Sequence, residues 1–188
     1  MQKINWKLFV ERPETASPDV FFKVFNTWIP GSPEVFVDVA DYQHAHDGPR
    51  TALVGYCSDF WLDDAGSRVG LLYNRRAPME GTGEEKLKRT LGELFRSCRR
   101  LEQDPEFGGR LKFRTDELVF RINDRGLAPN TAETFDRVRA VLAGVLSGVY
   151  GGTSFVLDRV TDPRQRFTVN ISSLPHHPLD HLIQRLPS

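Results

Sequence analysis

The chain has 188 residues, 39% hydrophobic and 27% charged, with 25 Lys plus Arg against 25 Asp plus Glu. That length suits one full hydrophobic core better than two, and the composition is that of a folding globular chain, not a disordered one. Zero net charge supplies no global field toward nucleic acid or an anionic membrane, and no run reaches the roughly eighteen apolar residues of a membrane helix.

The opening "MQKINWKLFVERPE" lacks the apolar stretch of a secretory signal, so a cytoplasmic location is expected. Within it, "KINWKLFV" alternates as a first strand. "SPDVFFKVFNTWIPG" then carries helix signals in order: Ser17 as cap, Pro18 in the first turn, Asp19 at the positive end, and Pro30 with Gly31 as the stop. Phe21, Phe22, Phe25, Trp28 and Ile29 recur at helical spacing.

Three strand-like stretches follow, "EVFVDVADY", "TALVGYCSDFWLD" and "RVGLLYNRR", the last two joined by the turn signal "DDAGS". Alternation puts Val35, Val37 and Val39 on one face, with Phe36, Asp38 and Ala40 on a wetter one. "GEEKLKRTLGELFRSCRRLEQ" is the clearest helix, with an apolar stripe of Leu87, Leu91, Leu94, Phe95, Cys98 and Leu101. "LKFRTDELVFRIND" is a strand that buries Leu118, Phe120 and Ile122.

A polar turn leads to a third helix, where Asn130 precedes Glu133 at capping-box spacing and Phe135, Val138, Leu142, Val145 and Val149 form the buried stripe. Gly144 and Gly148, four apart, imply close approach of a strand. "TSFVLDRV" and "RFTVNISS" close the pattern as a hairpin around "TDPRQ".

This order lacks the regular alternation of a doubly wound fold. It predicts a single α+β domain over residues 1–174, with a mainly antiparallel sheet of about six or seven strands on about three helices. Residues 175–188 read as a loosely packed tail broken by Pro175 and Pro178.

The dinucleotide, Walker, zincin, EF-hand and nucleophile-elbow motifs are absent, and no cofactor is expected. Cys57 and Cys98 have no close partner and read as buried structural thiols. "DYQHAHDGPR" concentrates His44, His46 and Asp47 downstream of Asp38 and Asp41. Two histidines at i and i+2 with a carboxylate can chelate a metal, whereas Asp, Gly and Pro equally make a surface turn. The turn reading is preferred. The other histidines, His176, His177 and His181, fall in the tail.

Two further clusters sit at strand ends. "RINDRG" gathers Arg121, Asn123, Asp124 and Arg125 before a capped helix, a setting for a small anion or for a self-satisfied turn. "LLYNRR" adds Tyr73, Arg75 and Arg76, a mixture common at protein interfaces. The resulting expectation is a non-catalytic module that binds a protein partner or self-associates, with nucleic acid and membrane not expected as partners. The alternative is an enzyme or small-anion binder with a polar pocket formed by the 38–47 segment and the 121–125 turn.

Overall fold

Strand β1 (Ile4–Val10) is the spine of the fold, and all seven of its side chains are buried. Neighbouring side chains on a strand point to opposite faces, so this burial requires cover on both sides. In the computed structural model, which describes residues 1–32, 35–42, 49–152 and 154–187, β1 lies inside an eight-stranded antiparallel sheet. The other strands are β2 (Phe36–Asp41), β3 (Pro49–Gly55), β4 (Ser58–Asp63), β5 (Gly70–Arg75), β6 (Phe113–Ile122), β7 (Val156–Arg159) and β8 (Phe167–Ser172). Their order across the sheet is β2-β3-β4-β5-β1-β6-β8-β7.

Four helices gather on one face of this sheet: α1 (Pro18–Gly31), α2 (Gly83–Gln103), α3 (Ala132–Tyr150) and the short α4 (Leu179–Ile183). Ile4, Trp6, Leu8 and Val10 turn toward them. Trp6 donates its indole N–H to Thr90 Oγ1 of α2 at 2.9 Å, and its ring centroid lies 4.8 Å from that of Phe120 on β6. Along the sheet, Phe36, Phe60 and Tyr73 continue the aromatic layer at 6.1 and 5.2 Å, and Trp28 of α1 joins it through Phe36. The fold class is therefore the α+β arrangement that the sequence implies.

The strand count exceeds the sequence expectation because "TALVGYCSDFWLD" is two strands. The chain reverses at Tyr56 and Cys57, and an added Cβ on Gly55 would lie 2.4 Å from Ser58 O. Only glycine permits so close a backbone approach. Cys57 is consequently exposed, contrary to the expected burial, while Cys98 is buried as expected.

On β2 a register shift between Phe36 and Asp38 breaks the simple alternation. Phe36 and Val39 point to the helices, while Val35 and Val37 are exposed. One extra residue in a bulge changes which side chains reach the core.

The helix ends also differ from the sequence reading. Thr131, not Asn130, caps α3, its hydroxyl accepting from Thr134 N. Asn130 instead ties down the β7–β8 hairpin by donating to Val160 O and Asp162 O and accepting from Arg159 Nη1. A full capping box starts α2, formed by Thr82 and Glu85. Gly144 and Gly148 face open space, not a strand.

The last segment is tied down, not loosely packed. Leu174, Leu179, Leu182 and Leu186 are buried, α4 contacts α2, and Arg99 meets Asp180 at 2.7 Å. Leu179, Leu182 and Leu186, at intervals of three and four, outweigh the local effect of two prolines, because each buried leucine contributes about 2 kcal/mol of transfer free energy.

Phe25, Leu91, Leu94, Phe120 and Leu142 are fully buried, whereas Phe22 is 37% exposed and Phe135 only partly buried. Alanine at any of the first five is expected to cost about 2–5 kcal/mol, and Phe22→Ala about 1 kcal/mol or less. Urea denaturation of the six variants checks this ranking.

Candidate functional site

The strand period that sends Trp6 to the helices sends Asn5, Lys7 and Phe9 to the opposite face, which no helix covers among the described residues. There Lys7 stands opposite Leu72 on β5 and Val119 on β6, while Asn5 is flanked by Asn74 and Arg121. Lys7 reaches past β5 to β4, where its Nζ lies 2.6 Å from Asp63 Oδ2. The residue between them is Gly70, paired with both Phe9 and Asp63. An added Cβ there would lie 3.0 Å from Lys7 Cε and 2.4 Å from Leu8 O. Glycine thus leaves the path for the lysine side chain.

Both partners of this ion pair are buried, with side-chain exposures of 7% and 11%. Burial lowers the Lys7 pKa from its ordinary value, and the adjacent Asp63 carboxylate works in the opposite direction. Beside the pair, the Arg68 guanidinium lies 3.7 Å from the Phe9 ring centroid and its Nη2 is 2.7 Å from Glu117 Oε2. Arg121 donates from Nε to Thr168 Oγ1 at 3.1 Å. Together these groups bound a cleft of about 310 Å³, with Gly66 and Gln165 among its rim residues. Asn5, 5% exposed, lines it, and its Oδ1 is buried with no hydrogen-bond partner.

The residues singled out in the sequence do not form one site. Arg121 belongs to the cleft. Asn123 bonds through its backbone N–H to Lys3 O, and Asp124 accepts from Gly126 N and Leu127 N while its Oδ2 is 3.3 Å from Lys3 Nζ. These bonds hold the Asp124 carboxyl below its ordinary range, the Leu127 amide contributing most. Arg125 points outward and donates to Arg164 O. The turn therefore satisfies itself.

Tyr73 is a core residue whose hydroxyl donates to Glu93 Oε2 at 2.6 Å. Arg75 is buried and donates to Ala77 O and Pro78 O, closing its own loop. Arg76 spans the β3–β4 hairpin, pairing with Asp59 at 2.8 Å and donating to Gly55 O. His44, His46 and Asp47 lie outside the described residues. Asp38 and Asp41 stand on β2 at the sheet edge, with four strands between it and β6, so the described part of the 38–47 segment does not adjoin the 121–125 turn.

The tail histidines have a structural setting. Thr115 Oγ1 donates to His177 O and accepts from His177 N, and the His177 ring lies 4.9 Å from His181 and 6.2 Å from Tyr150. No group of three metal-ligating side chains occurs among the described residues. Likewise, no described helix is long and apolar enough to cross a membrane.

Sequence reading missed Asn5, Lys7, Asp63, Arg68 and Thr168. The available signal was Asn5 and Lys7 alternating with Ile4, Trp6 and Leu8. A lysine inside a fully buried strand needs a partner. Comparison with family models and with curated proteins finds no match for this chain.

Two predictions concern these groups. Asp63→Ala leaves the Lys7 ammonium buried and unpaired, and is expected to cost about 3–5 kcal/mol, most of it recovered in Lys7→Met combined with Asp63→Leu. Denaturant melts of the single and double variants test the pairing.

The second concerns Tyr73, whose pKa is raised first by burial and then by Glu93. In the folded chain the phenol stays protonated above about pH 10, where the unfolded chain ionises. Its contribution is thus present below that pH and is lost as pH rises, at up to about 1.4 kcal/mol per pH unit. Tyr150, also pushed up by burial, adds a slope of the same sign. Tyr73→Phe is expected to flatten the alkaline decline of stability between about pH 10 and pH 12, read from urea midpoints at each pH.

Proposed function

We propose that the protein is a non-catalytic binding module that docks a partner protein on the helix-free face of its sheet. The observation that carries this reading is the side-chain content of that face. Tyr42 and Trp61 form a ring pair at 5.6 Å, Arg68 stacks on Phe9, and half-buried Leu72 and Val119 lie between these aromatic groups and Arg121. Tyrosine, tryptophan and arginine over an apolar floor is the composition of binding hot spots.

Charge narrows the partner further. Arg68 and Arg121 stand together toward the β6–β8 side, which fits a partner surface carrying acidic residues there. Three ion pairs on this face hold their groups together, Lys7 with Asp63, Arg68 with Glu117 and Arg76 with Asp59, while the Arg121 guanidinium is bonded to the Thr168 hydroxyl. Such pairing supports recognition over proton transfer, for which a group must be free to gain and lose its proton.

Trp61→Ala and Arg68→Ala remove recognition area from this face, and Arg139→Ala on exposed α3 surface serves as the control. Crosslinking capture identifies the partner, and calorimetry with the purified partner then measures each affinity. The reading expects at least about tenfold weaker binding for the first two variants and an unchanged Kd for the third. Equal affinity in all proteins contradicts it, as does capture of nothing but further copies of this chain.

A further inference from the structure

The cleft beside β1 has an electrostatic imbalance that partner docking does not require. Lys7, Arg68 and Arg121 line it against a single carboxylate, Asp63. Asp63 is taken up by Lys7, and Glu117 pairs with Arg68. Arg121 is left with no carboxylate partner among the described residues. Its Nε is held by Thr168 Oγ1, a hydroxyl already donating to Arg166 O. The pKa of Arg121 is lowered by burial and by the neighbouring Arg166 charge, with Asp63 opposing them. A half-buried guanidinium with a like charge nearby is held at a cost that an anion would relieve.

Geometry adds direction. With Nε engaged, the two Nη groups remain as a planar fork, the arrangement that grips carboxylate or phosphate oxygens in pairs. Across the strand pair from Arg121 stands Asn5, whose buried Oδ1 has no donor. Buried polar atoms without partners are uncommon, and one that lines a cleft is a place for a ligand hydrogen.

We propose that this cleft binds a small oxyanion, a carboxylate or phosphate bearing a hydroxyl or ammonium donor, with Arg121 forking the oxyanion and the donor satisfying Asn5 Oδ1. Lys7 and Asp63 form its floor, and the ion pair keeps the aspartate from repelling the ligand. The inference does not depend on a protein partner, since the ligand contacts named are all within the cleft.

Inorganic phosphate and citrate, each carrying a hydroxyl donor, are the probes, titrated at constant ionic strength against sodium chloride. At least one of them is expected to raise the Tm of the wild type by about 2–4 °C through binding to the folded state alone. The upshift should vanish in Arg121→Gln, weaken in Arg121→Lys, which keeps the charge and loses the fork, weaken in Asn5→Leu, and persist in Arg139→Gln. Nitrogen-15 spectra supply a readout independent of stability: the Asn5 side-chain amide and the Arg121 Nε resonances should move with the same saturation curve.

Which probe acts distinguishes phosphate from carboxylate as the preferred group. No upshift beyond chloride with either probe overturns the proposal, and so does an equal upshift in both Arg121 variants. Full affinity in Asn5→Leu overturns the donor contact. Partner capture through Trp61 and Arg68 is read separately, so failure of anion binding and failure of the docking reading are told apart.

Discussion

A buried lysine in a central strand constrains everything around it. Lys7 shares β1 with Trp6 and Leu8, and the strand period fixes it on the face away from the helices. Its ammonium must be paired, because an isolated buried charge costs several kcal/mol even after relaxation. The lysine reaches Asp63 by crossing β5 at Gly70, so the order β4-β5-β1 and the register between these strands are tied to this ion pair. A slip of one residue would send Lys7 into the layer of Phe60, Tyr73 and Phe120.

The two faces of the sheet consequently do different work. On the helical side, burial of Trp6, Phe25, Leu91, Phe120 and Leu142 supplies the hydrophobic driving force, and the Trp6–Thr90 hydrogen bond satisfies the one polar atom of the indole within that layer. The opposite side buries Asn5, Lys7 and Asp63 among strands without a second layer of helices. Replacing such a buried pair by apolar residues is often neutral for stability, so the pair serves strand register more than stability. Arg121 and the unpartnered Asn5 oxygen extend that argument to the cleft, where polar groups sit at a free-energy cost that a ligand can offset.

Elements with strong periodicity were legible from the sequence. The stripe from Leu87 to Leu101 marks α2, and alternation in "ELVFRI" marks the end of β6, because burial on one side imposes the period directly. Phe22 misled because a helix of five aromatic or large apolar residues in twelve positions has more apolar surface than its face can bury. Asn130 misled for a different reason. Two adjacent residues, Asn130 and Thr131, could each cap α3, and the tertiary bonds from Asn130 to the β7–β8 hairpin decide between them. The cleft was illegible because Lys7 and Asp63 stand 56 residues apart, and neither neighbourhood carries a motif. Only Arg121 was read as a candidate, and for a turn that satisfies itself without it.

The central claim is that the half-buried side chains on the face away from the helices, Trp61, Leu72, Val119 and Arg121, are within reach of solvent in the free protein and available for recognition. Paramagnetic relaxation by a neutral gadolinium chelate, measured on methyl groups across the sheet, tests it most directly. Leu72 and Val119 should relax strongly, while Leu71 and Leu118, their neighbours on the helical side, should be protected. Equal protection of all four would mean that the face is covered, and would contradict the account.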